Sequence, residues 1–377
     1  MKKFYRILLG LLISLVIIYF FLPGYVQTAL IYQTVDIDDY QIFENRTIES
    51  GTPQPWPEHP QYNIYQLDSS ERQHIEQYKP VAFLVIQDGQ VLYEEYWDGY
   101  GTNSLSNSFS AAKSVVSLLI GIAMDEGHIK SLNERVYEYI PEFSKESLKD
   151  IRIIDVLTMS SGINWDEAYK TPFSMTTEAY YGTDLEGLIH ELEGIEDAGK
   201  EFKYLSGNSQ ILAMIIQAAT GKHISVYASE KIWKKIGANH DALWSLDKKH
   251  GMEKAYCCFN TNARDFARFG QLILNDGRWD STQIVSTEYI KEATSPANWL
   301  KGGDGNPLTY YGYQYWILNY KEMQIPYMRG ILGQYIFAIK EKNAVIVRLG
   351  HERSSSYTNF HPNEVYKYID LGLKILE

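Results

Sequence analysis

Ser108-Phe-Ser-Ala-Ala-Lys-Ser-Val-Val-Ser-Leu-Leu-Ile-Gly121 sets the hydroxyl of Ser110 and the amine of Lys113 one helical turn apart, at the start of an apolar segment. Residues 115 to 124 are apolar on nearly every face, which predicts a buried helix over residues 111 to 124. A serine hydroxyl is a poor nucleophile near neutral pH, but a lysine amine can activate it once burial lowers the lysine pKa. The segment therefore predicts the nucleophile and base of an acyl-transfer enzyme.

A second Ser-x-x-Lys match, Ser245-Leu-Asp-Lys248, lies in a polar stretch that gives its lysine no apolar shelter. Because so short a pattern recurs by chance, neither match is specific alone. Charged runs are typical of solvated surface, so we expect the second match to lie on the surface. Ser110 and Lys113 remain the candidate pair.

The composition is that of an ordinary globular protein, 45% hydrophobic and 22% charged. The net charge of −12 argues against nucleic acid or an anionic membrane surface as a partner, because both need clustered Lys and Arg. Cys257 and Cys258 are adjacent, and a ring closed between neighbouring cysteines is strained, so we expect no disulfide and no zinc site. No His-Glu-x-x-His motif is present, and we expect neither a metal nor an organic cofactor.

The N-terminus reads as a targeting element. The basic stretch Met1-Lys-Lys-Phe-Tyr-Arg6 precedes sixteen residues, 7 to 22, without a charge. Continued to Val26, this segment is long enough to cross a membrane, and it predicts an uncleaved signal anchor with the basic residues inside and the rest extracytoplasmic. A cleaved signal peptide, leaving a secreted protein, is the alternative. Its cleavage site is poor, since Tyr25-Val-Gln-Thr-Ala29 has Gln27 where a second small residue is expected.

We divide the rest of the chain into an extended tether, residues 27 to 60, and a domain, residues 61 to 377. Thr52-Pro-Gln-Pro-Trp-Pro57 forbids a long helix in the tether. In the domain, strand-like runs flank Asp88-Gly89 near its start and recur over residues 334 to 349 near its end, and helices dominate between them, roughly from 130 to 320. This grouping predicts an α+β fold: an antiparallel sheet built from both chain ends, flanked by helices, with a helical subdomain inserted.

Lys203-Tyr-Leu-Ser-Gly-Asn208 stands immediately before an apolar helix and places Tyr204 on a loop at the helix start. A lysinium nearby favours the phenolate, so a Lys-Tyr couple can take the serine proton and later deliver one to the leaving group. Alternatively, Tyr204 is a packing residue, and Ser206 or Asn208 caps the helix.

Met328-Arg-Gly-Ile-Leu-Gly-Gln-Tyr335 is a glycine-bearing entry to the first strand of the C-terminal hairpin. Glycine lets backbone approach a ligand closely, so an edge strand here can donate its N–H to a developing oxyanion, together with the N–H of Ser110. A strand-initiating bulge is the alternative.

Together the three motifs resemble the serine beta-lactamase and penicillin-binding superfamily, and within it the class C-related esterases and 6-aminohexanoate-dimer hydrolases. The stretches Asp155-Val-Leu-Thr-Met-Ser-Ser-Gly-Ile-Asn-Trp-Asp166 and Asp265-Phe-Ala-Arg-Phe-Gly-Gln-Leu-Ile-Leu-Asn-Asp-Gly277 are also similar to family segments. The likeness runs over roughly residues 75 to 375 in the same order.

The resemblance implies Ser110 as nucleophile, Lys113 as base, Tyr204 as proton relay, and the backbone N–H groups of Ser110 and Ile331 as oxyanion donors. It implies weaker substrate contacts at Ser206, Asn208, Arg329 and Gly330.

Two departures from the family pattern bear on the substrate. Ser206 stands where the beta-lactamases carry Asn, and Met328-Arg-Gly330 stands where the family carries Lys-Thr-Gly. The cation that holds a substrate carboxylate is then displaced, or replaced by Arg329. Both changes favour esters and unusual amides over beta-lactams.

The sequence thus predicts a membrane-anchored, extracytoplasmic serine hydrolase. Its expected substrate is a small-molecule or peptide-like ester or amide, including one derived from the cell wall. The alternative is a catalytically impaired, penicillin-binding-like sensor or cell-wall binding module that keeps the fold without turnover.

Overall fold

A computed structural model describes all 377 residues. The helices are α1 (Lys2–Phe21), α2 (Gly24–Tyr32), α3 (Ser69–Glu76), α4 (Ala112–Asp125), α5 (Ile153–Leu157), α6 (Met175–Tyr181), α7 (Leu185–His190), α8 (Ser206–Thr220), α9 (Ile224–Ala228), α10 (Ala263–Leu274), α11 (Thr287–Ala293) and α12 (Asn363–Ile375). The strands are β1 (Asn45–Ile48), β2 (Pro80–Gln87), β3 (Gln90–Tyr96), β4 (Ser106–Asn107), β5 (Ala242–Ser245), β6 (Phe259–Thr261), β7 (Arg278–Trp279), β8 (Thr282–Gln283), β9 (Trp316–Tyr320), β10 (Met323–Gly330), β11 (Gln334–Ile339), β12 (Ala344–Gly350), β13 (Tyr357–Thr358) and β14 (His361–Pro362).

The two predicted hairpins belong to one six-stranded antiparallel sheet, in the order β3-β2-β12-β11-β10-β9. Asp88 and Gly89 adopt φ values of 50° and 73°, as a two-residue hairpin turn requires. The C-terminal hairpin joins the N-terminal one where β12 pairs with β2, with Val347 opposite Leu84. The predicted α+β fold, with its sheet built from both chain ends, is confirmed.

Strand β2 is buried along almost its whole length because apolar clusters cover both faces of the sheet. Leu84 belongs to the cluster that contains the core residues of α4 and α10. Its neighbour Phe83 belongs to the second cluster, which contains the core residues of α12. Burial on both faces explains why the β2 sequence is a continuous apolar run rather than an alternating one.

The helices α5 to α11 lie between the two sheet-forming ends of the chain. α8 is the apolar helix predicted to follow Lys203-Tyr-Leu-Ser-Gly-Asn208, and it ends at Gly221, whose φ is 69°. A second small antiparallel sheet, in the order β1-β5-β6-β4, accompanies these helices and was not predicted. Its strands are only two to four residues long, too short for a periodic pattern to be read from the sequence.

The N-terminal segment begins with α1, which is long and apolar enough to cross a membrane and buries no residue against the rest of the protein. The prediction of an extended tether over residues 27 to 60, ending on the domain, is wrong for its start, which is helical, whereas its later residues do lie on the domain. Residues 24 to 32 form α2, β1 pairs with β5, and Ile37 and Ile48 are fully buried in the main core. The prolines do exclude a helix around residue 55. The apolar residues before them pack on the domain because burying their side chains is more favourable than leaving them exposed to water.

Cys257 and Cys258 form a disulfide, contrary to the expectation from ring strain. Cys258 adopts a φ of 67°, a left-handed conformation that is uncommon for a residue with a side chain. Both cysteines are buried, so the surrounding core holds the turn in which the ring closes.

The second Ser-x-x-Lys match is split by the fold. Ser245 ends β5 and is fully buried, so the expectation of surface is wrong for the serine. The Lys248 side chain is 54% exposed and lacks apolar shelter, as predicted.

Lys254 is a second buried lysine, besides Lys113. It is fully buried, its Nζ donates to the carbonyl oxygen of Ala179 at 3.1 Å, and it lies 4.9 Å from the ring centroid of Phe43. Burial lowers the pKa of Lys254 from its ordinary value of 10.5 to about 7. Because the charged form is the one that burial penalises, the folded state loses stability as the pH falls from the unfolded pKa to the folded one.

Replacing Lys254 with methionine should therefore stabilise the protein, by about 2 kcal/mol at a pH of about 6 after the lost hydrogen bond is counted. The gain should shrink as the pH is raised to about 9, since the native lysine is then neutral. Chemical denaturation of Lys254→Met and the parent protein at both pH values measures it. A gain that is the same at both pH values would contradict the buried-charge explanation.

Candidate active site

Ser110 lies in a single 3-10 turn, Phe109–Ala111, that leads directly into α4. The preceding Phe109 is buried and adopts a φ of 43°, and its N–H donates to the side-chain oxygen of Asn107 at 2.8 Å. This fixed turn places Ser110 at the wall of a cleft of about 800 Å³, at the N-terminal end of a buried helix.

Lys113 is 1% exposed because α4 is buried on nearly all sides. Its Nζ donates to Ser206 Oγ at 3.0 Å and to the carbonyl oxygen of Tyr256 at 2.7 Å. Burial lowers the pKa of Lys113 to about 7, and the nearby carboxylate of Glu167 opposes that shift. A large fraction of this amine is therefore neutral near pH 7 and able to accept a proton.

Tyr204 faces the same amine, with its ring centroid 5.4 Å from Lys113 Nζ. Burial raises the pKa of the Tyr204 phenol far above its ordinary value; the negative charge of Glu167 also raises it, and an interaction with the Ser110 hydroxyl lowers it. This shift favours the protonated phenol rather than the expected phenolate, and burial is its largest cause.

A carboxylate that the sequence motifs did not single out completes this network. Glu167 accepts hydrogen bonds from Ser206 N at 2.6 Å and from Ser206 Oγ at 2.7 Å, and the Tyr169 hydroxyl donates to the same carboxylate. Glu167 directly follows the stretch 155 to 166 that resembles a family segment, but in an acidic chain nothing in the sequence marks it out. Ser206 therefore links Glu167 to Lys113, in addition to beginning α8.

Gly330 brings the end of β10 against the turn that carries the candidate nucleophile. A Cβ at this position would lie 2.2 Å from the carbonyl oxygen of Ser108, so a side chain cannot be accommodated there. Ile331 follows and lines the same cleft as Ser110. The backbone N–H groups of Ser110 and Ile331 donate to no protein acceptor, and both remain available to an oxyanion.

We expected the segment that carries Ile331 to be part of an edge strand. This expectation is wrong, because β10 lies between β9 and β11. The Ile331 N–H is free because the chain leaves the sheet in a turn over Ile331–Gly333, with Leu332 at a φ of 60°. The buried Arg348 fixes this turn, since its Nη1 donates to the carbonyl oxygens of Leu332 and Gly333 at 2.9 and 2.8 Å.

Of the four weaker predicted contacts, only Ser206 lines the cleft. Asn208 is fully buried, and its side-chain amide lies 3.4 Å from Met159 Sδ. The Arg329 guanidinium stacks on Trp316, 3.1 Å from the ring centroid. The guanidinium group in the cleft lining belongs instead to Arg353, which follows β12 in a loop without a motif.

The rest of the cleft is largely apolar. One wall consists of residues from the end of α2 and the segment after it, namely Ala29, Leu30, Gln33, Thr34 and Val35. Tyr180 and Tyr181 from α6 line it as well, and so does Cys257 of the disulfide. None of the residues from α2 or the segment after it was a candidate from the sequence, because their proximity to Ser110 arises only in the folded chain.

Replacing Glu167 with glutamine should lower the pKa of Lys113, because it removes the negative charge that favours the lysinium. If Lys113 must be neutral to act, the acidic limb of the pH dependence of kcat/KM should move to lower pH by about half a unit to one unit. A pH profile of ester hydrolysis for Glu167→Gln measures this. A limb that stays in place, or moves to higher pH, would contradict an electrostatic link between the two groups.

Comparisons with known proteins fit this arrangement. The Beta-lactamase family model matches residues 67–359. The 6-aminohexanoate-dimer hydrolase of Paenarthrobacter ureafaciens is 27% identical over 299 residues, which is 74% of this chain and 74% of that protein.

Two solved structures share the fold. A protein from Bacillus anthracis named for the 6-aminohexanoate-dimer hydrolases superposes with a TM-score of 0.77 at 22% identity, covering 90% of this chain and 92% of its own. A family VIII carboxylesterase superposes with a TM-score of 0.61 at 18% identity, covering 88% of this chain and all (100%) of its own.

Proposed function

Because the chain belongs to the beta-lactamase family and is a serine hydrolase of the esterase and amidase type, we propose that Ser110 is its nucleophile, Lys113 the base and Tyr204 the proton relay. The observation that carries this proposal is the buried amine of Lys113, whose pKa of about 7 makes it a base at neutral pH, one helical turn after Ser110. Ser206 also contacts this amine and lines the cleft, but its hydroxyl and its N–H both donate to Glu167.

In the proposed reaction, Ser110 Oγ attacks the substrate carbonyl carbon while its proton passes to the neutral amine of Lys113. The carbonyl oxygen becomes an oxyanion and is held by the N–H groups of Ser110 and Ile331. Tyr204 gives its proton to the leaving oxygen or nitrogen and regains one from the Lys113 ammonium as the bond to the leaving group breaks. Water then attacks the acyl-Ser110 ester by the same route in reverse, which releases the acid and restores the serine.

Esters and linear amides fit this site better than beta-lactams. In the family pattern, the triplet Lys-Thr-Gly supplies a cation for a substrate carboxylate, and here Arg329 occupies the middle position and stacks on Trp316 instead of lining the cleft. The relative from Paenarthrobacter ureafaciens is named for hydrolysis of a linear amide, and one solved neighbour for a carboxylester.

We also propose that α1 is an uncleaved anchor and that the domain lies outside the cytoplasm. Lys2, Lys3 and Arg6 precede the apolar helix and favour the inner side of the membrane. Cleavage after Ala29 would remove most of α2, including Val26, which is fully buried against the domain. This packing supports retention of the segment rather than its loss.

The test is a hydrolysis panel with the full-length protein in detergent, containing p-nitrophenyl esters, a linear 6-aminohexanoate dimer and nitrocefin. A fluorophosphonate probe, followed by peptide mass spectrometry, identifies the residue that forms the adduct. We expect an adduct on Ser110 and faster turnover of esters than of nitrocefin.

Ser110→Ala is the control for the adduct and should abolish labelling of that peptide. Nitrocefin turnover faster than that of every ester would overturn the substrate assignment. Labelling at another serine, or none, would overturn the assignment of Ser110.

A further inference from the structure

One wall of the cleft that Ser110 lines is built from the part of the chain that directly follows the membrane-length helix. Leu30 and Val35, at and after the end of α2, line the same cleft as Ser110. α2 is held in place on the domain by Val26, which is fully buried, and by Tyr32, whose ring stacks on that of Tyr181 at 6.1 Å. The wall is therefore a fixed part of the domain.

This wall is also tied closely to the end of α1. Only Leu22 and Pro23 separate Phe21, the last residue of α1, from Gly24, the first of α2. That connection spans at most about 11 Å, and the nine residues of α2 extend about 13 Å more. With α1 in a bilayer, the cleft must lie within roughly 25 Å of the membrane surface.

The residues around this side of the cleft are apolar and exposed. Leu30, Ile31 and Tyr32 are 45%, 65% and 43% exposed, and across the cleft Tyr169 and Phe173 are 51% and 61% exposed. Tyr169 lines the cleft, and Phe173 directly follows the lining residue Pro172. Apolar groups gathered around one opening mark a surface that contacts lipid or an apolar ligand, and tyrosine suits the membrane interface.

We propose that the substrate of this site is a membrane amphiphile: an ester or amide whose long acyl chain comes from the adjacent leaflet and lies along Leu30 and Val35, with its carbonyl at Ser110. This inference rests on the proposed hydrolase function and names its substrate class. Each methylene that leaves water for the apolar wall favours binding, so a long chain gains where a short one does not. A polar, freely diffusing substrate would gain nothing from an apolar opening at the bilayer surface.

The experiment uses the full-length protein reconstituted in phosphatidylcholine vesicles, with p-nitrophenyl butyrate and p-nitrophenyl laurate as probes. The quantity measured is the ratio of kcat/KM for laurate to that for butyrate. We expect a ratio of at least about tenfold for the parent protein and a fall of about tenfold in Leu30→Ser. Leu30→Ala, which preserves helix propensity, should move the ratio in the same direction, and a thermal unfolding midpoint shows that each variant is folded.

Ile64→Ser is the matched control, because Ile64 is 68% exposed and lies outside the cleft lining. Its ratio should equal that of the parent. A parent ratio near one, or equal ratios in Leu30→Ser and Ile64→Ser, would overturn the acyl-chain inference. If butyrate is still hydrolysed in that case, the proposed hydrolase function stands. Failure to hydrolyse either ester, together with no fluorophosphonate adduct on Ser110, would overturn the proposed function and this inference with it.

Discussion

Replacing Ser110 with alanine should lower kcat/KM for a p-nitrophenyl ester by about 10⁴ to 10⁶-fold, the loss typical of removing the nucleophile from a serine hydrolase. The covalent route then disappears, because the other hydroxyl that contacts the Lys113 amine, that of Ser206, donates to Glu167. Residual turnover should come from carbonyl polarisation by the backbone N–H groups at positions 110 and 331 alone. Steady-state kinetics on purified variant, with intact-mass analysis for an acyl adduct, measures both effects.

Ser117→Ala is the matched control for this substitution. Ser117 is buried on α4, the helix that follows the Ser110 turn, and its hydroxyl is 3.1 Å from that of Tyr289. We expect the Ser117→Ala rate to stay within about threefold of the parent protein, since Ser117 does not line the cleft. A Ser110→Ala protein that retains more than a tenth of the parent rate would show that the nucleophile lies elsewhere.

Much of the fold follows from local sequence patterns. The turn at Asp88-Gly89, the apolar run of β2 and the C-terminal hairpin each carry strong signals, and the sheet that they form was predicted from them. The small sheet and α2 carry no such signal. The strands of the small sheet are short. α2 is stabilised by packing of Val26 and Tyr32 on the domain, and such tertiary packing cannot be predicted from a local sequence pattern.

The candidate site shows the same division. Ser110, Lys113 and Tyr204 stand in motifs with chemical meaning, and the structure brings all three together. Glu167 and Arg353 were missed because each is one charged residue among many until the fold places it in the site. Asn208 and Arg329 stand in the right motifs but are turned toward Met159 and Trp316, because motif spacing fixes the backbone more firmly than the direction of a side chain.

The largest expected effect after loss of the nucleophile is that of Lys113. Replacing it with methionine should lower kcat/KM by about 10³ to 10⁴-fold, the contribution typical of a positioned base. In the parent protein, burial lowers the Lys113 pKa to about 7, so activity should rise with pH through that value as the amine loses its proton. Lys113→Met should lack this limb, and Lys113→Arg should be inactive throughout because a guanidinium stays protonated.

Lys254→Met provides the matched control, because Lys254 is equally buried and has a similarly lowered pKa, but its Nζ donates to the carbonyl oxygen of Ala179 rather than to Ser206. Both substitutions remove a buried amine that destabilises the folded state at neutral pH, so both should raise the free energy of unfolding. Only Lys113→Met should lose activity, since only that amine contacts Ser206 and lies beside the Tyr204 ring. A Lys113→Met protein that is more stable yet inactive would mean that burial of the Lys113 amine lowers the stability of the folded state but is required for activity. Equal loss of activity in both variants would instead show that the effect is structural.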